Sequence, residues 1–486
     1  MTTIFSSFFS RPWIWSMMIC LAASGIYIFI DVTFGDLNAI AAIIAIFAVV
    51  AILKSHTAGV TSLALILPLS STYLLPRKIS GISGLNSLNL IIVIVSFTSV
   101  VKFLSQDEKP VFPKISPSLF AFSILIAIAG IRGAMHASMV PDYYLELNVI
   151  SSKSQTEFLQ IYVLKPFITL WVVWLVALFV ANSSKADVVA YGMVAAGIII
   201  SMAICTYAIQ SGSEIQNLAS QESRRYLSGI GMHANELGLM LNTIFLMVLL
   251  MACSAGEILR RAILFSIAFA LLVSITLTFS RGAYLGALTA ICFALTVRHK
   301  TLLALILVAS ATAIFLLFPS TFGRSEELDP HTTPESLSSG RVANIWEPLL
   351  PEIVDNIIFG GGASYILRSE AARSERILPV GHPHSAYLEA LLDVGLAGSV
   401  IILLFGLYAW RLFSIAAAMA VGTPISAVLR GGQGCLLILL VQGTTDDSFF
   451  PARSQAFVWL AFAAAWGIHA KFATRWSWPI IQREPA

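Results

Sequence analysis

Residues Gly381–Trp410 read GHPHSAYLEALLDVGLAGSVIILLFGLYAW. A polar head carrying His382 and His384 runs into an apolar stretch from 386 to 410. A helix needs about 20 apolar residues to cross a bilayer, so this stretch is long enough to span. The rest of the chain has the same character. Of its 486 residues 57% are hydrophobic and 11% charged, with a mean hydropathy of +0.85. A soluble domain carries about 25% charged residues. A deficit spread over the whole length predicts an all-α polytopic membrane protein, one integral membrane domain over 1–486.

With a net charge of +3, placement of the charges matters more than their sum. No Lys/Arg-rich tract points to nucleic acid. The five cysteines (Cys20, Cys205, Cys253, Cys292 and Cys435) each fall in an apolar run, without metal-ligand spacing. They read as small buried hydrophobes, and no metal is expected. The first apolar run, FFSRPWIWSMMICLAASGIYIFI at 8–30, continues past its small-residue LAAS segment and reads as an uncleaved span.

Hydropathy predicts fourteen spans, near 13–30, 38–53, 59–75, 87–104, 117–135, 161–181, 187–209, 235–253, 262–279, 283–297, 301–318, 386–410, 430–445 and 454–470. The third and thirteenth are the weakest signals, so the range is about 12–14. Lys and Arg of short loops stay on the cytoplasmic side. With fourteen spans, Arg11, Lys54, KFLSQDEKPVFPK, Lys185, EILRR, RHK, Arg411, Arg430 and KFATRWSWPIIQREP all fall on one side. Both termini are then cytoplasmic.

The opposite face carries three long segments, about 136–160, 211–235 and 319–385. Loops this long in a compact protein are usually functional or disordered. In the largest, Val342, Ile345, Leu349 and Ile353 fit a helical stripe. They predict an amphipathic helix lying on the membrane surface.

Four polar clusters converge on that face. Arg281, in TFSRGAY, sits between two spans. An arginine near the bilayer is a functional-site candidate by default, and its planar fork suits phosphate oxygens. It reads equally well as a snorkelling anchor at a helix end. Arg341, in SGRVANIW, starts the surface helix; alone it reads first as an exposed loop arginine. His384 lies just before a span, beside His382. A histidine accepts a proton near neutral pH, although an interfacial histidine without chemistry is the commoner case. Fourth, RRYLSGIGMHANELG places Arg224 and Arg225 ahead of a glycine turn, with Asn235 expected to cap the next helix. Together, two arginines and a histidine suit binding of a diphosphate and deprotonation of an alcohol. That combination fits glycosyl transfer from a lipid-diphosphate sugar.

The order of these pieces resembles the superfamily of O-antigen ligases and O-antigen/exopolysaccharide polymerases. The matching segments are SRGAYLGAL at 280–288, RVANIW with IIFGGG at 341–362, and HSAYLEALLDVGLAG at 384–398. SGIGMHANELG at 228–238 adds to them, so the resemblance covers about 228–400. Ser385 stands where the family often has asparagine, and RSEAARSER at 368–376 has no counterpart in the pattern.

The resemblance implies a fold related to GT-C membrane glycosyltransferases, with a large periplasmic loop between late helices. It implies a donor glycan on undecaprenyl diphosphate and metal-independent inverting transfer without a cofactor. By position, Arg281 and Arg341 bind the diphosphate and His384 is the catalytic base. Arg224, Arg225, Asn235, His382, Tyr387 and Glu389 are further substrate-binding candidates. Implied partners are an acceptor glycan or lipid A-core, membrane lipids and polysaccharide assembly proteins. The implied location is the bacterial inner membrane, with the site facing the periplasm. Span count and loop length lean toward a polymerase, with a ligase as the alternative.

Two other readings stay open. Glu389 and Asp393, four residues apart, suit a proton path in a transporter or flippase. Asp31 and Asp36, with Asp446 and Asp447, suit a glycosyltransferase whose base is an aspartate.

Overall fold

The computed structural model describes residues 51–297 and 340–475, apart from 77, 79–83, 85, 106–108, 212–226, 228 and 446–447, with backbone alone at 453 and 474–475. The predicted spans at 13–30 and 301–318, most of 38–53, and residues 319–339 lie outside the described residues. So do Arg224, Arg225, Asp31, Asp36, Asp446 and Asp447.

The described residues are all-helical. The longer helices are α1 (His56–Leu69), α2 (Ser87–Leu104), α3 (Pro117–Met135), α4 (Lys165–Ala181), α5 (Asp187–Gln210), α6 (Ala234–Ser254), α7 (Ile258–Leu277) and α8 (Arg281–Val297). After the second long segment come α9 (Glu347–Asp355), α10 (Ala386–Met419), α11 (Pro424–Gln442) and α12 (Ala456–Arg475). Nine helical segments among the described residues are long and apolar enough to cross a membrane, with α1 and α8 shorter apolar helices. The protein is therefore a polytopic membrane protein.

Local chemistry sets the helix starts. Ser116 caps α3 ahead of Pro117, and Asn86 caps α2 by accepting from Asn89 N at 2.8 Å; both follow N-cap preference. The cap of α6 is His233, not the expected Asn235. His233 Nδ1 accepts from Asn235 N, and the Glu236 carboxylate accepts from His233 N at 3.1 Å. That reciprocal arrangement holds the turn and leaves the Asn235 side chain for another partner.

Several helices run past basic residues that hydropathy left in loops. Arg260 and Arg261 lie in the first turn of α7, Arg411 lies within α10, and Arg430 lies within α11. Charge marks where hydrocarbon ends, whereas backbone hydrogen bonding can continue beyond it. Glycines in RGGQGC do not interrupt α11, because neighbours press against it. A Cβ on Gly432 would lie 2.4 Å from Phe413, and one on Gly434 would lie 2.5 Å from Leu246 and Phe293. Small residues that admit close approach are how helices associate in lipid.

Buried on nearly every side, α6 packs against α7, α8 and α11. By contrast, α2 and α10 expose Val93, Phe97, Leu403 and Leu407, an apolar face suited to lipid. Lys102 meets His56 at one end of the bundle, and Lys471 donates to Ser183 O at that same end. A cap covers the other end.

The cap is built from 136–160 and 340–385 around its own apolar core, including Tyr144, Phe158, Ile345, Leu349, Ile353, Ile366 and Leu367. The predicted amphipathic helix exists as a π-turn, Val342–Trp346, leading into α9. Its stripe does not lie on a membrane surface, however. Ile345, Leu349 and Ile353 are buried in the cap core, because the neighbouring segments supply a protein surface for them to cover. Glu352 accepts from Glu370 N at 2.9 Å and Ala371 N at 2.8 Å, so one carboxylate caps the short helix Glu370–Arg373.

The cap is keyed into α10 at a break. Gly395 leaves the helical conformation, with φ 63° and ψ −166°. The chain from 357 to 365 fills the gap. Ile357 O and Ile358 O accept from Leu396 N and Ala397 N at 2.8 and 3.0 Å, while Gly361 N and Gly362 N donate to Leu392 O and Asp393 O at 2.7 and 2.8 Å. Non-helical backbone within a span is tolerated only where protein satisfies it, and here the two motif halves satisfy each other. A Cβ on Gly395 would sit 2.5 Å from Ile358 O, and one on Gly360 would sit 2.4 Å from the Asp393 carbonyl carbon.

Candidate functional site

Beneath this junction lie two buried charged residues, Asp393 and Arg368. Asp393 accepts from Ser364 N at 2.8 Å and Tyr365 N at 2.9 Å, using both carboxylate oxygens. Arg368 is 4% exposed. It donates to Gly361 O, Gly362 O, Ala363 O and Ser364 O at 2.6 to 3.2 Å. Burial pulls Arg368 below its ordinary pKa and the Asp393 carboxylate opposes that shift. Every hydrogen bond here holds the glycine turn. The sequence reading missed Arg368, which opens the charged run that matched no family pattern.

The sequence-predicted residues gather elsewhere at the cap end, around the turn that follows α11. Ala386 N donates to Gly443 O at 2.8 Å. Arg341 donates to Thr445 O. Gly282, next to Arg281, lies so close to the same turn that a Cβ there would be 2.4 Å from Thr445 Oγ1. Segments from three distant stretches of sequence thus meet at 443–445. Arg281 is the first residue of α8 and is exposed, whereas Arg341 is half-buried.

His384 is held in an uncommon conformation. Its φ is 54°, in the left-handed region that costs a non-glycine residue roughly 1–2 kcal/mol. Trp346 Nε1 donates to Pro383 O at 2.8 Å, and His384 N donates to His382 Nδ1 at 3.1 Å. Ser385 then caps α10 by accepting from Leu388 N. Strain of this kind persists where the surroundings over-determine it, and it clusters at functional sites. The rings of His382 and His384 lie 4.2 Å apart, and that of His233 is 6.5 Å from His384.

Asn235 accepts from Ser280 Oγ, which ties the start of α6 to the residue before Arg281. The Tyr387 hydroxyl donates to Leu440 O at 2.9 Å, and its ring meets Phe449 edge-on at 5.0 Å; both contacts anchor the ring to the α11 side. Glu389 is half-buried in the first turn of α10. Sequence reasoning missed Thr445, although a signal was there: GTTDD is a polar run directly after an apolar one.

Residues 266–403 match the family described as O-antigen ligase, Wzy_C. No curated protein matches the chain. The matched range contains Arg281, Arg341, His384 and both halves of the Gly395 junction. The chain is accordingly a multi-pass membrane protein whose residues 266–403 match the O-antigen ligase (Wzy_C) domain.

Proposed function

We propose that the chain transfers a glycan from undecaprenyl diphosphate to an acceptor hydroxyl at the periplasmic face of a bacterial inner membrane, as a polymerase of O-antigen or exopolysaccharide. The observation that carries this reading is the convergence on one turn. Arg341 donates to Thr445 O, Gly282 abuts Thr445, and the helix after His384 starts on Gly443. The family supports a lipid-linked glycan as substrate.

In the proposed step, an imidazole nitrogen of His384 takes the proton of the acceptor hydroxyl as its oxygen attacks the anomeric carbon. The bond from that carbon to the diphosphate oxygen breaks, and its electron pair leaves with the diphosphate. Arg281 and Arg341 stabilise the negative charge that grows there. Attack opposite the leaving group inverts the anomeric carbon. The proton passes from His384 to solvent when product departs. A diphosphate is already a good leaving group, so this step asks for no metal. His382 orients the His384 backbone, and Tyr387 and Glu389 line the acceptor side. The proton-path reading loses support, because both oxygens of Asp393 hold the cap turn.

The test is chain length of surface polysaccharide in cells carrying His384→Ala, Arg281→Ala or Arg341→Ala. Loss of polymer is expected in each, and normal polymer in all three refutes the assignment. The product accumulated in a deletion strain separates polymerase from ligase. Single repeat units on lipid A-core indicate a missing polymerase. Bare core with lipid-linked polymer indicates a missing ligase acting on lipid A-core.

A further inference from the structure

Two amides lie below the candidate site, inside the helical bundle. Asn242 of α6 is 0% exposed and Gln442, the last residue of α11, is 2% exposed. Asn242 Nδ2 donates to Ala283 O at 2.8 Å and to Gln442 Oε1 at 3.0 Å. Asn242 therefore joins three helices: its own, α8 and α11. Only glycine fits opposite them. A Cβ on Gly286 would lie 2.4 Å from both Asn242 Nδ2 and Gln442 Oε1.

What these amides touch leads to both clamp arginines. Ala283 is in the first turn of α8, two residues after Arg281. Gln442 O accepts from Thr445 N at 2.9 Å and from Thr445 Oγ1 at 3.0 Å, and Thr445 O holds Arg341. One face of α6 thus grips the start of α8 twice, at Asn235 with Ser280 and at Asn242 with Ala283. The spacing of seven residues is two helical turns.

The pair is also costly. Asn242 Oδ1 is buried without a hydrogen-bond partner among the described residues. A buried orphan acceptor is destabilising, and two apolar side chains of similar volume would avoid it.

We infer that Asn242 and Gln442 form a positioning strap that fixes the separation of Arg281 and Arg341, and hence the fit to a diphosphate. The inference rests on the diphosphate reading of those arginines. Neither amide is a catalytic residue; each acts through the helix ends it ties. A site held loosely by its support loses function without losing its groups.

The experiment measures binding of radiolabelled undecaprenyl diphosphate to the purified full chain in nanodiscs, with Tm recorded for each variant. The doubly substituted Asn242→Leu/Gln442→Leu chain leaves neither amide orphaned. It is expected to keep its Tm and to bind about tenfold more weakly, by analogy with the loss of outer-shell partners at metal sites. Wild-type affinity in that folded variant, with affinity lost in Arg281→Ala, overturns the inference. Wild-type affinity in Arg281→Ala and Arg341→Ala as well refutes the diphosphate reading, and the strap falls with it. If the double variant fails to accumulate, Gly286→Ala is measured instead, because its added methyl pushes the two amides apart. Weakened binding there supports the strap, and wild-type affinity overturns it.

Discussion

Two arginines of this domain, Arg368 and Arg281, lie on the same side of the bundle and have opposite surroundings. Arg368 is buried, four backbone carbonyls take its hydrogens, and Asp393 lies beneath the same turn. Arg281 is exposed, at the N-terminal end of a helix whose partial charge is positive. A cation in that setting is not there for helix stability. On the proposed reading it meets the diphosphate of the donor. An arginine near a membrane therefore says little by itself; burial inside a turn and exposure at a helix start put the same side chain in different settings.

The comparison breaks most visibly at His384, the proposed base. His384→Ala is expected to lower transfer by about 10²–10⁴-fold with Tm unchanged, measured as product formation in membrane vesicles beside a melting curve. A comparable fall in Tm would move His384 to the structural side. Arg368→Ala tests the opposite case. It strips the donor from four backbone carbonyls of the turn, and a buried group left unsatisfied costs about 1–3 kcal/mol, so this variant is expected to lose Tm or fail to accumulate before activity can be assayed. Arg281→Ala should instead accumulate normally and lose transfer.

Gly395→Ala sharpens the boundary between the two regions. A left-handed φ and a methyl pressed on Ile358 O are expected to cost about 1–3 kcal/mol, read as a lower Tm with weakened protection of the 357–365 amides from exchange. Unchanged protection would mean that the cap does not depend on the break. The smallest effect is expected from Ser385→Ala, which removes an N-cap worth about 1 kcal/mol. Since the cap borders His384, transfer should fall more than Tm does, and a variant losing only Tm would place Ser385 outside the site.

Much of the fold was legible because hydropathy reports lipid contact directly. The limits of α2 and α3 match the predicted spans, and α5, α6 and α12 differ by a residue or a few. What hydropathy misses is backbone. DVGLAG is apolar on both sides of Gly395, so the break has no hydropathy signature, and only a partner segment far away in sequence makes it stable. Arg368 was hidden by company: in RSEAARSER it looks like one of several surface charges, although its neighbours Ala371 and Ala372 are fully buried. The candidate residues Arg281, Arg341 and His384 were picked out by motif. Thr445 was missed despite the polar run GTTDD, because that run does not say which residue matters and a backbone carbonyl, not a side chain, takes the Arg341 hydrogen bond.

The interruption at Gly395 also divides α10 mechanically. Residues 386–397 are bonded to the cap and to the turn after α11, with cap bonds on both sides of the break, and the helix beyond them faces lipid through Leu403 and Leu407. Helices adjust to a thinner or thicker bilayer mainly by tilting. Bonded to the cap on both sides of the break, the upper arm and its histidine have a hold on the cap that is separate from the lipid-facing arm, which meets any change in bilayer thickness.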